Sequence, residues 1–440
     1  MSDGRLARGW AVLGCRRLRQ FVIAGLAVVF AVVVVGSASA ASGPRRASGG
    51  AGIHTRLPHE KKRKQRPAAS ARGQPSNPFA LRGMWIWLLP DASGGSVSAI
   101  ISRAHQYGIG TLIIKSGDGT GTWSQFNPQL VAELHAAGLR VCGWQYVYGN
   151  NPIAEAEVGA AAVHDGANCL AIDAESEYEG KYVQAQTYIT ELRKLIGAKL
   201  PVALAGLPYV DFHPSFPYSI FLGPGGAQYN MPQMYWSAIG VTVDQVYAHT
   251  YAWNRPYARS LYPLGEIDDN PPVGQILRFR QLSRVYGAPN VSWWDWQEAS
   301  QAAWNGVARP VASLTGYTAS AAIAAIGRGY AGDLAVWAQE HLLSAGYPIT
   351  VNGSFGATMQ AVVESFQTAH GLTPDGVIGP QTWIALLRYP PANVRWTTRR
   401  AKEAAAARAA LTMPVPKSAR LPAKRDELAG ISRADTPAAR

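Results

Sequence analysis

The sequence predicts an α/β fold, a (β/α)8 barrel, followed by a small three-helix all-α module. Two observations support the barrel. Short apolar runs alternate with amphipathic stretches, and eight such pairs follow one another within residues 80–316. A third observation supports the module, because three apolar stripes at helical spacing lie within residues 328–390. The chain is therefore expected to contain two folded domains.

Each predicted strand of the barrel precedes one predicted helix. The strand-like runs are residues 83–89, 111–115, 140–147, 170–173, 202–207, 231–235, 261–266 and 291–296. The amphipathic stretches are residues 97–107, 128–137, 153–164, 182–196, 216–222, 243–253, 273–286 and 301–314. Five helices end at a glycine, as a C-terminal cap requires: Gly108, Gly138, Gly166, Gly197 and Gly287.

The fifth helix is the weakest of the eight, because Pro214 and Pro217 interrupt it. An open, doubly wound sheet is the alternative to a barrel, since it would show the same alternation. No Gly-rich dinucleotide fingerprint follows the first strand, and its absence favours the barrel.

The predicted module carries turn signals between its helices. Gly346 and Gly371 end the first two helices, and Asn-Gly and Asp-Gly pairs mark turns. The motifs are Gly346-Tyr347, Asn352-Gly353-Ser354-Phe355-Gly356, Phe366-Gln367, Gly371-Leu372, Asp375-Gly376, Gly379 and Thr382-Trp383. This series resembles the peptidoglycan-binding module appended to many bacterial wall hydrolases. The resemblance implies peptidoglycan glycan chains as the partner, and a purely structural bundle is the alternative.

One position of the module departs from that family. Asn352 stands where the family usually has Asp, and we expect it to make the same turn.

The N-terminus predicts export. Five arginines precede an uncharged apolar run at residues 21–35, and Ala38-Ser39-Ala40 is an A-x-A cleavage signal. The run is shorter than the roughly 20 residues of a membrane-spanning helix. We expect an export signal in residues 1–40 and a secreted or wall-bound protein. A membrane anchor is the alternative if the signal is not cleaved.

Charge is distributed unevenly along the chain. The net charge is +13, but residues 83–394 hold 15 basic and 22 acidic residues, a net charge of −7. A nucleic-acid-binding domain would show the opposite pattern, so we expect no nucleic-acid partner. The basic segments, residues 41–79 and 391–440, are predicted to be a disordered linker and a disordered tail. They are either solvated linkers or weak attractors of anionic wall polymers or a membrane surface.

Two cysteines remain once Cys15 leaves with the signal. Cys142 and Cys169 fall near the starts of consecutive predicted strands, and export favours oxidation. A disulfide and a pair of buried thiols both remain open.

Active sites of (β/α)8 barrels lie at the carboxyl ends of the strands. The polar residues there are Asp118, Asp173, Glu175, Asp211, His213, Gln233, Tyr235, Glu266, Asp268, Asp269, Asp295 and Gln297. Asp173 and Glu175 form the sharpest pair, because residues two apart on a strand face the same side. Two close carboxylates push their pKa values apart, which is what glycosidic bond cleavage needs. A structural, ion-paired couple is the alternative.

This Asp-x-Glu pattern resembles the acid motif of chitinase-like and lysozyme-like glycoside hydrolases. The sixth strand, with Gln233 and Tyr235, is similar to the Met-x-Tyr strand of the chitinase-like group. The aromatic eighth strand, with Trp294 and Asp295, resembles the strand that floors the sugar site in both groups.

The resemblance implies roles for these residues. Glu175 would be the proton donor, Asp173 would orient the acetamido group, and Tyr235 would hold its oxygen. One Trp would stack on the sugar, and we select Trp294. Gln233, Asp295 and Glu266 complete the predicted substrate-binding set.

Glu266 ends the seventh strand. It is expected to be a second catalytic carboxylate or an acceptor for sugar hydroxyls, with a loop acid as the alternative.

Two departures leave the subfamily open. The further Asp residues of the chitinase-like group, and the first-strand Asp of the lysozyme-like group, are absent here. No paired His spacing suggests a metal, and no cofactor is expected.

We therefore predict a monomeric, exported cell-wall glycoside hydrolase that cleaves the N-acetylated β-1,4 glycan of peptidoglycan. A non-catalytic wall-binding protein with a degenerate barrel is the alternative from another class. A hydrolase of an unrelated exported polysaccharide is the third hypothesis.

Overall fold

The computed structural model describes residues 77–412. The predicted export signal, nearly all of the predicted N-terminal linker and residues 413–440 lie outside the described residues. Within the described range, every helix is too short or too polar to cross a membrane.

One sheet, parallel except for a single short strand, forms the centre of the larger domain. Its strands are β1 (Gly83–Ile86), β2 (Thr111–Asp118), β3 (Gly121–Thr122), β4 (Arg140–Val147), β5 (Cys169–Ala174), β6 (Val202–Gly206), β7 (Tyr229–Asn230), β8 (Ser260–Leu261), β9 (Leu264–Glu266) and β10 (Ser292–Trp294). The order of neighbours is β8-β7-β6-β5-β4-β2-β1-β10-β9, and β3 pairs antiparallel with β2.

The sheet closes into a barrel. β8 and β9 are two halves of one segment, and β8 pairs with β7 while β9 pairs with β10. Gln233 bridges to Leu264 of β9 across the same seam. The split occurs at Pro263, whose nitrogen has no hydrogen to donate to a ladder. The predicted α/β barrel is confirmed, with its seventh strand in two pieces.

Helices follow the strands. Those of the barrel are α1 (Val97–Gln106), α2 (Pro128–Ala136), α3 (Pro152–His164), α4 (Tyr182–Ile196), α5 (Tyr218–Phe221), α6 (Trp236–Ile239), α7 (Val243–Asn254), α8 (Val273–Val285) and α9 (Gln301–Ala308). All five predicted cap glycines have positive φ. α5 is a single turn after Pro217. α9 ends at Ala308, six residues before its predicted end, because Pro310 disfavours a helical residue before it.

The smaller domain contains α10 (Asp333–Ser344), α11 (Ala357–Ala369) and α12 (Pro380–Leu386). Two glutamines hold its turns in the same way. Gln339 Oε1 accepts hydrogen bonds from the N–H groups of Asn352 and Gly353, and Gln367 Oε1 accepts from that of Gly376. The three-helix module predicted from the sequence is confirmed.

The module packs on the barrel through Asp333, the first residue of α10. This carboxylate is completely buried and accepts hydrogen bonds from Ser219 N and Oγ, at 2.7 Å each, and from the Tyr257 hydroxyl at 2.8 Å. Burial raises the pKa of Asp333 to about 6. Trp337, one turn later, donates from Nε1 to the Pro256 carbonyl at 2.7 Å. The two domains therefore share a buried, polar contact.

The predicted disordered tail differs from the structure over residues 391–412. α13 (Thr398–Thr412) is a helix, and Val394 and Trp396 before it are buried. We call residues 394–412 the C-terminal strap. Trp396 stacks on Tyr182 of α4 at 4.2 Å between ring centroids. The strap forms where two apolar anchors precede an Ala-rich run of strong helix formers.

Cys142 and Cys169 are joined by a disulfide. They lie directly opposite each other on β4 and β5, with their Cα atoms 4.5 Å apart. The bond that the sequence left open is therefore formed at the start of two neighbouring barrel strands.

Candidate active site

The predicted carboxylate pair is brought together by one amide. Asp173 is the penultimate residue of β5 and is almost fully buried, whereas Glu175, two residues on, is half-buried. Gln233 Nε2 lies 2.9 Å from Asp173 Oδ1 and 2.9 Å from Glu175 Oε1. A single side chain thus donates to both carboxylates, which means that they face the same side of the strand.

Tyr146 lies beside this pair. In strand register, Asp118 of β2, Tyr146 of β4 and Asp173 of β5 form one row across three neighbouring strands. The Tyr146 hydroxyl donates to Glu177 Oε2 at 2.8 Å, so this exposed glutamate is engaged rather than simply solvated. Burial raises the pKa of Tyr146 well above its usual range, and the charge of Glu175 raises it further. The hydroxyl therefore stays protonated and serves as a donor to carboxylates.

A buried cation lies one layer below that row. Lys115 is 1% exposed, and its Nζ is 2.8 Å from Asp118 Oδ2. The ammonium also sits over the Trp144 ring, 3.9 Å from its centroid. Asp118 Oδ1 accepts a second hydrogen bond, from the Tyr148 hydroxyl at 2.8 Å. The open end of the barrel at the carboxyl ends of its strands, which we call the mouth, thus contains a further carboxylate that is paired with an internal cation.

Three tryptophans pack around Trp294 near the carboxyl ends of the strands. Trp294 is half-buried, and its ring lies 5.6 Å from Trp144, 6.0 Å from Trp85 and 6.4 Å from Trp87, between centroids. The peptide bond between Trp294 and Asp295 is cis. Flat rings with one accessible face are suited to stacking on the apolar face of a sugar. That Trp294 stacks on a sugar stays a prediction.

Three other predicted residues are buried near β9 and β10. Glu266 is 2% exposed, accepts a hydrogen bond from the Ser237 backbone N–H, and pairs in register with Trp294. Asp295 is fully buried and accepts from the Glu298 N–H at 3.1 Å. Tyr235 is 3% exposed. Their burial restricts how much of each a bound sugar can touch.

Asp268, an acid beyond β9, has a shifted pKa. Burial raises the pKa of Asp268 to about 7, and the charges of Glu298 and Asp269 act in the same direction. Asp268 therefore titrates near neutral pH, unlike an ordinary aspartate.

Two predicted polar residues belong to a separate loop after β6. Asp211 pairs with His249 Nε2 at 2.7 Å, and His213 Nδ1 lies 2.7 Å from Glu179. Both pairs tie neighbouring segments together.

Lys115 and the position of Asp118 beside it were missed by sequence reasoning. The sequence does contain one indication of this pair. Lys115 directly follows the apolar run Leu112–Ile114, inside a predicted buried strand. A charge at such a place is costly unless it is paired, so it marks a partner nearby.

Comparison with known proteins identifies the smaller domain. Residues 331–386 match a protein-family model described as "Putative peptidoglycan binding domain". A curated protein from Kitasatospora aureofaciens, titled "Uncharacterized protein in bpoA1 3'region", is 53% identical over 36 residues. That match covers 8% of this chain and 30% of the relative.

Solved structures resemble the barrel weakly. A chitinase from Chromobacterium violaceum ATCC 12472 aligns with a TM-score of 0.38 and 10% identity, over 52% of this chain and 98% of that one. The catalytic domain of endolysin ply40, from bacteriophage P40 of Listeria monocytogenes, aligns with a TM-score of 0.25 and 17% identity, over 30% and 68%. The chain thus combines an α/β barrel, with carboxylates at its mouth, and a peptidoglycan-binding module.

Proposed function

We propose that this protein is an exported cell-wall glycoside hydrolase that cleaves the N-acetylated β-1,4 glycan of peptidoglycan. One observation carries the proposal: the Gln233 amide donates to both Asp173 and Glu175 at the carboxyl ends of barrel strands. The half-buried ring of Trp294 lies at the carboxyl end of β10 in the same barrel. The peptidoglycan-binding module supports the choice of substrate. Export rests on the sequence of residues 1–40.

Glu175 is the acid/base in this proposal, because it is the more accessible of the two carboxylates. It gives its proton to the glycosidic oxygen as the bond to the anomeric carbon breaks. The acetamido oxygen of the substrate forms the new bond to that carbon. Asp173 accepts a hydrogen bond from the acetamido N–H and stabilises the positive charge. Glu175 then takes a proton from water, whose oxygen displaces the acetamido oxygen.

This route needs no carboxylate nucleophile. It fits a mouth in which Glu266 already accepts a backbone hydrogen bond and Asp295 is fully buried. The remaining predicted contacts are then binding contacts. Trp294 stacks on the sugar, and Tyr235 and Gln233 hold polar groups of the acetamido-bearing ring.

A wall-binding protein without catalysis is the second candidate. The observation that favours it is the near-complete burial of Asp173, which is also expected of a carboxylate that only orders the core. The basic segments would add weak attraction to anionic wall polymers or a membrane surface in either case.

One experiment separates these functions. The full chain is incubated with peptidoglycan sacculi beside two variants, Glu175→Gln and Glu191→Gln. Glu191 is a matched control, because it lies on α4 in a surface pair with Lys194. We expect soluble glycan fragments, read by mass spectrometry, from the wild type and from Glu191→Gln, and a loss of at least about 100-fold in Glu175→Gln.

The contradicting result is equally clear. If all three proteins sediment with sacculi and none releases fragments, the enzyme proposal fails for this substrate and the wall-binding function stands. If Glu175→Gln releases fragments as fast as the wild type, Glu175 is not the acid/base.

A further inference from the structure

Lys115, the buried cation of the barrel, has no role in the proposed chemistry. Lys115 is buried in the layer of Trp144 and Ala171, just below the row that contains Asp173. A buried ammonium costs several kcal/mol unless it is paired. An aliphatic residue would fill this place in a barrel whose interior had only to pack.

The chain departs from regular strand geometry to give Lys115 its partner. Residues three apart on a regular strand face opposite sides, so Lys115 and Asp118 would point apart. The register of β2 against β4 shifts between Lys115 and Gly117, and this bulge brings the two side chains together. A Cβ at Gly117 would lie 2.3 Å from the Val158 side chain, so close packing of the bulge against α3 requires glycine.

The carboxylate placed in this way keeps acceptor capacity. Asp118 Oδ2 binds Lys115 and Oδ1 binds the Tyr148 hydroxyl, yet its side chain is 19% exposed. A carboxylate offers about four acceptor sites, so two remain for a ligand at the mouth. The rings of Tyr146 and Tyr148, 4.9 Å apart, flank it. Fixed acceptors beside accessible ring faces suit sugar hydroxyls.

We propose that Asp118 is a substrate-contacting carboxylate that accepts a hydroxyl hydrogen bond from the glycan, and that Lys115 is the positioning residue that fixes it. This inference rests on the proposed function and adds a contact on the β2–β4 side of the mouth. Because Lys115 balances the charge of Asp118, the contact selects a neutral sugar hydroxyl rather than an amine or a metal ion.

The test measures binding separately from cleavage. The β-1,4-linked tetramer of N-acetylglucosamine is titrated into the full chain by calorimetry. The same titration is made with Asp118→Asn, Lys115→Met, the double variant and the control pair Glu191→Gln and Lys194→Met. The control pair removes a surface ion pair of the same kind from α4.

We expect Asp118→Asn and Lys115→Met each to weaken binding about tenfold, as loss of one charge-assisted hydrogen bond predicts. The double variant should be no weaker than either single variant, because both remove the same contact. In turnover assays KM should rise while kcat changes less than about threefold. The control variants should match the wild type.

Other results overturn the proposal. If Asp118→Asn binds the tetramer as tightly as the wild type, Asp118 does not contact the glycan, whether or not Lys115→Met folds. A lower melting temperature in Lys115→Met, with unchanged affinity, assigns the cation to stability alone. If the wild type binds the tetramer but releases no fragments from sacculi, and binding is still weakened in Asp118→Asn, the enzyme proposal is refuted and this one is supported. A wild type that binds no tetramer refutes this proposal, while fragment release from sacculi would still sustain the enzyme.

Discussion

His341 lies in α10 of the module, and we expect its protonation in acid to destabilise the folded protein. The ring is 2% exposed, its Nδ1 lies 2.7 Å from the Tyr389 carbonyl oxygen, and its edge packs against Trp337. Burial lowers the pKa of His341 to about 4. The unfolded chain binds this proton near pH 6.5, well before the folded protein does. Stability is therefore lost as the pH falls from about 6.5 towards 4.

We expect this histidine to reduce the free energy of unfolding by about 2–3 kcal/mol between pH 7 and pH 4. Asp333 acts in the opposite direction, because its raised pKa adds stability as the pH falls below about 6. Comparison with His341→Gln removes only the histidine contribution. Thermal unfolding of both proteins across this range should show a smaller acid loss in the variant, and equal losses would contradict the assignment.

Single residues also show where sequence reasoning reached the site. Asp173 and Glu175 could be found because strand alternation alone puts them on one face. Gln233 was selected from a resemblance of its strand, and in the structure its amide contacts both carboxylates. The pairing of Lys115 with Asp118 could not be predicted, because it depends on a bulge that no periodic pattern encodes.

At the scale of elements, the turns of the module show how two different residues can perform one task. Asn352 Oδ1 accepts from the Ser354 N–H at 2.9 Å, and Asp375 Oδ1 accepts from the Val377 N–H at 2.9 Å. The expectation that Asn352 makes the family's turn is confirmed. Its oxygen also accepts from Gln339 Nε2 at 3.1 Å.

Because both contacts of Asn352 use the oxygen, an aspartate should replace it without loss. We expect Asn352→Asp to change the free energy of unfolding by less than about 0.5 kcal/mol. Asn352→Ala should lose about 1–2 kcal/mol, since it removes the acceptor for two donors. Urea unfolding of the three proteins measures this. A similar loss in Asn352→Asp and Asn352→Ala would show that the amide hydrogens, not the oxygen, hold the turn.

Elements with strong periodicity could be predicted, and those that depend on distant partners could not. α4 occupies the residues predicted for it. Its apolar spacing defines the buried face of the helix, and Gly197 defines where the helix ends. The segment after β7 has no such signal. Residues 231–235 were predicted as a strand, but only Gln233 bridges to β9 there, and Pro232 leaves one donor missing. α13 was missed because its Ala-rich sequence has little apolar surface of its own.

At the scale of the whole molecule, the module is attached to the barrel by more than a linker. Asp333 is buried against Ser219 and Tyr257 of the barrel, and the strap contributes Trp396 to a shared core cluster. A module held in this way keeps a fixed orientation relative to the barrel, and under the proposed function it would present wall polymer to the mouth in that orientation. That differs from a flexible tether, which raises only the effective concentration of the substrate.

The strap provides the sharpest test of this coupling. Truncation of residues 391–440 removes Trp396 from Tyr182 and uncovers Val336 and Val351 of the module. Loss of one buried tryptophan typically costs about 3–5 kcal/mol, so we expect a clear drop in melting temperature. Proteolysis between residues 309 and 330 should become faster, because the module separates from the barrel more often.

The matched control is a chain truncated after residue 412, which keeps the whole strap and removes only the rest of the basic tail. It should unfold and resist protease like the full chain, within about 0.5 kcal/mol. Equal behaviour of the two truncations would mean that the strap contributes nothing to docking. A drop confined to the longer truncation, together with slower release of glycan from sacculi, would show that a fixed module is part of how the barrel reaches its substrate.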